Sequence, residues 1–267
     1  MPALAGFSML LSLTLANPSQ TPSSTPADQR PATGFLYKTL TLDGQTRPYA
    51  VYVPPDYTPD RPWPVILFLH GSGERGTDGF LQTEVGIGTA IRRNYRLVPA
   101  IVVMPQCRPN EDWTGPMAQV ALRCVEQTSR EYRLDGDRVY LTGLSLGGQG
   151  VWHIAASLPD RFAAIVPLCG FAEYGPDTGV ADRIAARLAH VPVWCFHGET
   201  DDRVPVAKAR EMIAALRKAG GEPRYTEYKG ADHSIWDRTY SDPELWKWLL
   251  AQRRGAHPTT ASQPASR

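Results

Sequence analysis

The stretch "LTGLSLGGQG", residues 141 to 150, sets a serine between glycines directly after a short apolar run. Glycine weakens strands and helices alike, so a core segment gains nothing from four of them. A tight strand-to-helix turn with Ser145 at its apex requires them. The pattern is G-x-S-x-G, with the strand-like "RVYLT" before it and the helix-like "GGQGVWHIAASL" after it. In that setting the motif reads as a nucleophile elbow. The next helix N-terminus and the Leu146 N–H then favour negative charge that develops beside the serine. A serine needs a base, and the base needs an orienting acid.

Six histidines are available. His257 lies in the terminal tail, His190 at a helix end and His153 well inside the helix after Ser145. His70 and His197 each end a strand before glycine, where they read as loop supports. His233, in "YKGADHSIWD", follows the last strand in a loop of small residues and is the candidate base. The candidate acids are Asp201 and Asp202 in "HGETDDRVP", at the end of the strand before it. The order serine, aspartate, histidine is the nucleophile–acid–base order of α/β-hydrolases. "LHGSGERG" closes another strand with a glycine-rich loop, and a backbone N–H near Ser72 would join that of Leu146 as an oxyanion donor. Trp113 and Trp236 stand near strand ends as candidate walls for an acyl or aromatic group. No metal-ligand spacing and no cofactor motif is present, so the reading requires neither.

The elements that must hold these residues alternate between strand and helix. "FLYKTLTL" and "RPYAVYVP" flank a "DGQT" turn as a hairpin. "PVILFLH", "PAIVVMP", "RVYLTG", "FAAIVPLCG" and "VPVWCFHG" are continuously apolar, as strands buried on both faces are. Helical periodicity appears behind Pro116 and behind Pro205. The expected fold is α/β, a mostly parallel, doubly wound sheet with an antiparallel N-terminal hairpin and helices on both faces. In such sheets ligands bind at the carboxyl ends of the strands, where the unusual residues cluster.

The 267 residues suit one domain over residues 34–251 plus tails. Residues 1–16 read as a secretory signal peptide without Lys or Arg in its n-region. Residues 17–33 read as a disordered Pro/Ser/Thr linker, and residues 252–267 as a disordered tail. Export to a secreted or periplasmic location follows from that segment. A net charge of +1 gives no nucleic-acid footprint, and no apolar run is long enough to span a bilayer. Of the four cysteines, Cys107 and Cys124 are the pair that export would allow to bridge. Oligomeric state leaves no trace in the sequence.

The segments "YVPPDY", "PVILFLHGSGERGTDG", "VVMPQC", "GLSLGGQGVW", "FHGETDDRVP" and "ADHSIWDRTYSDPELWKWLL" resemble α/β-hydrolase serine esterases of the polysaccharide-esterase type. That type includes feruloyl and acetylxylan esterases. The chain also resembles their relatives labelled predicted peptidases and dienelactone-hydrolase-like esterases. The resemblance implies an α/β-hydrolase fold and a carboxylesterase acting on small-molecule or carbohydrate esters. It assigns Ser145 as nucleophile, Asp201 rather than Asp202 as acid, and His233 as base, with Ser72 and Leu146 as oxyanion donors. A serine peptidase on the same scaffold is the alternative. Two departures stand out. Leu146 occupies a place where methionine is commoner, and Gln149 one where a small residue or tyrosine is common, which makes Gln149 a candidate substrate contact.

Overall fold

A computed structural model describes residues 31–175 and 178–255. The signal-peptide reading and most of the linker and tail readings therefore lie outside the described residues. Eight strands form one sheet in the order β1-β2-β4-β3-β5-β6-β7-β8. β1 (Gly34–Leu42) and β2 (Gln45–Val53) make the expected antiparallel hairpin, and β2 runs antiparallel to β4 (Ile101–Pro105). β4, β3 (Trp63–Leu69), β5 (Leu134–Leu144), β6 (Ala164–Leu168), β7 (Trp194–Gly198) and β8 (Arg224–Tyr228) are mutually parallel. Parallel neighbours need crossovers, and the helices supply them on both faces.

Strand alternation divides the core in two. Val65, Leu67 and Leu69 of β3 point into one layer, with the buried faces of α2 (Gly115–Ser129), α3 (Leu146–Ser157), α4 (Val180–Leu188) and α5 (Ala207–Lys218). Ile66 and Phe68 point into the other, with α1 (Ile87–Arg93), α6 (Trp236–Tyr240) and α7 (Pro243–Ala251). Because β3 is covered on both faces, all seven of its residues are buried, which is why it reads as an unbroken apolar run.

Two details differ from expectation and a third answers an open question. β5 starts at Leu134, four residues before "RVYLTG", because Leu134 pairs with Trp63 across a register shift. The glycine-rich crossover from β3 to β4 holds α1, a helix too short for its period to register in the sequence. Cys107 and Cys124, whose pairing the sequence left open, do not bridge: both are free thiols buried in the core. No helix among the described residues is long and apolar enough to cross a membrane.

Candidate active site

Ser145 sits between β5 and α3 with φ +54° and ψ −116°, a conformation side chains rarely adopt. The turn is held because its neighbours leave no alternative. Ser145 N donates to Leu168 O at 2.9 Å and Gln149 N to Ser145 O at 3.0 Å. A methyl group on Gly147 would lie 2.0 Å from Leu69 O, so only glycine lets α3 approach β3 this closely. The strain lifts the serine hydroxyl out of the sheet, over the N-terminus of α3.

His233 Nε2 lies 2.9 Å from Ser145 Oγ, and His233 Nδ1 lies 2.7 Å from Asp201 Oδ2. With a carboxylate facing it, Nδ1 carries the proton and donates to Oδ2. Nε2 is then the free acceptor that faces the hydroxyl. The two loops that carry these residues are stitched together. Thr200 N donates to Ala231 O at 2.9 Å, and a methyl on Gly198 would lie 2.0 Å from Asp232 O. Gly198 is thus a packing requirement of the loop that carries His233.

The Asp201 side chain is fully buried. Oδ1 accepts from Arg203 N at 2.9 Å and Val204 N at 2.8 Å, and Oδ2 accepts from His233 and from His197 Nε2 at 3.1 Å. Burial alone would raise its pKa. The hydrogen bonds from His197, His233 and the two backbone N–H groups outweigh burial and hold the carboxyl well below the usual carboxylate range. Asp202 points away, its side chain exposed and 3.8 Å from Arg203 Nε. Of the two aspartates, the structure brings Asp201 and not Asp202 to His233.

The loop after β3 abuts the elbow. A methyl on Gly71 would come within 3.6 Å of Ser145 Cβ, which sets the Gly71–Ser72 backbone beside the hydroxyl, with Leu146 opposite at the first position of α3. Ser72 begins a single 3-10 turn, Ser72–Glu74. Trp236 begins α6, its ring edge-on to His233 with centroids 5.7 Å apart. Gln149 is half-buried in the first turn of α3.

Trp113 requires correction. It is fully buried, its indole N–H donates to His70 O at 2.9 Å, and its ring meets that of His70 edge-on at 4.9 Å. It is a wedge under the β3 loop and cannot wall a substrate site. Two residues escaped the sequence reading. His197 reaches the acid as well as its own loop, because His-x-x-x-Asp spans one turn. Tyr174, 65% exposed in the loop after β6, donates from its hydroxyl to Arg203 O at 3.1 Å, so an aromatic ring stands over the acid loop.

Residues 110–245 match the model of the dienelactone hydrolase family, and residues 41–137 match the Esterase family model. The chain belongs to the dienelactone hydrolase family. A solved structure described as a thermostable esterase is 36% identical and superimposes with a TM-score of 0.71, over 82% of this chain and 63% of that one. A dipeptidyl-peptidase 5 of Porphyromonas gingivalis is 26% identical over 73% of this chain and 34% of its own length. A bifunctional acetylxylan esterase/xylanase of Neocallimastix patriciarum is 26% identical over 82% of this chain and 32% of its own length. This dienelactone hydrolase family chain spans about a third of the length of these two curated relatives.

Proposed function

We propose that the protein is a serine carboxylesterase that cleaves acyl groups, acetyl or aromatic, from small-molecule or plant-polysaccharide esters through an acyl-enzyme on Ser145. The observation that carries this reading is the continuous hydrogen-bonded line Ser145 Oγ, His233 Nε2, His233 Nδ1, Asp201 Oδ2. His233 takes the Ser145 proton as Oγ forms a bond to the ester carbonyl carbon. The N–H groups of Leu146 and Ser72 receive the oxyanion. Collapse of the tetrahedral intermediate breaks the bond to the alkoxide, which leaves with the proton from His233. Water then repeats the cycle, with His233 again as base, and releases the carboxylic acid.

Asp201 stays ionised throughout and fixes the His233 tautomer. Trp236, Gln149 and Tyr174 border the acyl or alcohol group. Supporting this reading are the esterase likeness at 36% identity and the acetylxylan esterase relative. We place the protein outside the cytoplasm on the sequence of residues 1–16.

The peptidase relative supports the other chemistry of the same serine. An alkoxide departs without much help, whereas an amide nitrogen must be protonated as it leaves and is aligned by gripping several residues of substrate. Comparison of kcat/KM for p-nitrophenyl acetate, methyl ferulate and p-nitroanilide peptides tests the reading. Esters are expected to lead by about a hundredfold or more. Peptide turnover equal to or above the esters overturns it.

A further inference from the structure

A groove of about 410 Å³ opens along the edge strand β1, remote from the serine. Tyr37, Lys38, Asp78, Gln127 and Glu131 are among its lining residues. Beside it, Tyr37 is 52% exposed and Phe80 45% exposed, with ring centroids 5.8 Å apart. Two large rings held together in water contribute little to the core, and a ligand with an apolar face would gain most from them.

The charged and amide groups of the lining narrow the ligand. One cation, Lys38, stands against two carboxylates, Asp78 and Glu131, and Lys38 Nζ already donates to Glu131 Oε2 at 2.5 Å. Phosphate, nucleic acid and anionic surfaces meet no excess positive charge here. Tyr37, paired with Ala50, and Lys38, paired with Tyr49, project from opposite faces of β1, so the groove runs over the open strand edge with the rings on one side and the Lys38–Glu131 pair on the other. Aromatic faces with a polar rim across the edge match a sugar ring, which offers a C–H face and a rim of hydroxyls.

The groove is preformed and lies in line with the elbow. Gln106 Nε2 donates to Glu74 O at 3.1 Å and to Asp78 Oδ2 at 3.0 Å, while Gln106 Oε1 accepts from Gly79 N at 2.7 Å. Asp78 Oδ1 accepts from Phe80 N and Leu81 N at 2.6 and 2.8 Å, which fixes the turn that presents Phe80. One segment therefore runs from Ser72, beside the serine, to the groove.

The strand register supplies the direction. Lys38 pairs with Tyr49 and Tyr49 with Pro105. The β3–β4 register carried on by two residues brings Leu69 opposite Pro105, and Leu69 pairs with Gly143. Lys38 and the start of the elbow thus share one row across the sheet, four strand spacings or roughly 19 Å apart. An oligosaccharide of a few rings covers that span.

We propose that this groove is a carbohydrate subsite, in which Tyr37 and Phe80 hold the neutral backbone of a polysaccharide whose acyl group lies at Ser145. The inference rests on the esterase reading for its substrate but has its own readout. The full chain is run through native gels that contain unsubstituted, de-esterified arabinoxylan, beside the Tyr37→Ala/Phe80→Ala double variant and Tyr37→Ser alone. Turnover of p-nitrophenyl acetate and of acetylated xylan is measured on the same samples.

The wild-type chain is expected to be retarded, and the double variant to bind about tenfold more weakly. Turnover of acetylated xylan should fall by a similar factor, with p-nitrophenyl acetate within about twofold of wild type. The last value also reports that the variant is folded, and Tyr37→Ser supplies the readout if the double variant is not. Migration of the wild type as in a blank gel, or equal retardation of the variants, overturns the subsite. Retardation without turnover of any ester sinks the esterase reading and leaves the subsite standing. Turnover without retardation does the reverse.

Discussion

Two strands of this molecule end in the same dipeptide and use it differently. β3 is followed by His70–Gly71 and β7 closes with His197–Gly198, and both histidine side chains are fully buried. His70 Nδ1 donates to Gly71 O at 2.6 Å, and His70 Nε2 accepts from Cys107 N at 2.9 Å. The neutral ring is thus satisfied on both sides by backbone, and burial pushes its pKa down to about 4. His197 Nε2 faces two acceptors, Val204 O at 2.9 Å and Asp201 Oδ2 at 3.1 Å, so its proton is shared between a loop and the buried acid. Its Nδ1 has no hydrogen-bond partner among the described residues. Both residues look like loop supports in the sequence. The β3 histidine pins the backbone beside the elbow, and the β7 histidine positions a carboxylate. Local sequence sets where a histidine sits, and the partner brought by the fold sets what it does.

Within this comparison the largest effect should come from the group His197 serves. Asp201→Asn is expected to lower kcat by roughly 10⁴, because an amide cannot stabilise charged His233 or hold its tautomer. Steady-state kinetics on p-nitrophenyl acetate give the number, and a loss below about tenfold would detach β7 from the chemistry.

The β3 histidine should act on stability instead. Its folded pKa, about 4, lies below the ordinary histidine value of about 6.5. The unfolded chain therefore binds more protons between those two values. The stability from the neutral ring is complete above about pH 6.5 and is lost as pH falls toward 4, a total of about 3 kcal/mol. Urea unfolding at pH 7, 5.5 and 4 should show this slope in the wild type, and a shallower slope from a lower starting stability in His70→Asn. Identical slopes would contradict the assignment.

His197→Phe keeps a ring in the cavity but removes the donor. Loss of a hydrogen bond to a charged group should lower kcat by about 10- to 100-fold with KM little changed. Partial recovery in His197→Asn, whose amide can still donate, would separate positioning from packing. The smallest effect belongs to exposed Asp202: Asp202→Asn should change kcat by less than about tenfold. A larger loss there than in Asp201→Asn would move the acid by one residue.

Much of the fold was legible because β3, β4 and β7 carry unbroken apolar runs, and the edge strand β1 alternates between half-buried and exposed residues over most of its length. Ser145 stood out because the glycines around it are needed for backbone clearance, and His233 because it follows the last strand in a loop of small residues. What stayed hidden depended on partners distant in the chain. Asp201 differs from Asp202 by which carboxylate faces His233, 32 residues away. Trp113 looked available because nothing local shows that its indole N–H meets His70 O, 43 residues away. α1, seven residues long, is too short to carry a period, and the free state of Cys107 and Cys124, both buried in one core layer, depends on a side-chain geometry that sequence spacing does not supply.

The most direct measurement is intact-mass analysis after treatment with a fluorophosphonate, followed by peptide mapping, on the wild type and Ser145→Ala. The wild type should gain one adduct per chain, carried by Ser145, as hydrolysis of p-nitrophenyl acetate stops. Ser145→Ala should gain none, remain folded, and lose turnover by on the order of a millionfold. An adduct on another residue, or a Ser145→Ala protein that keeps a few per cent of wild-type turnover, would contradict the account.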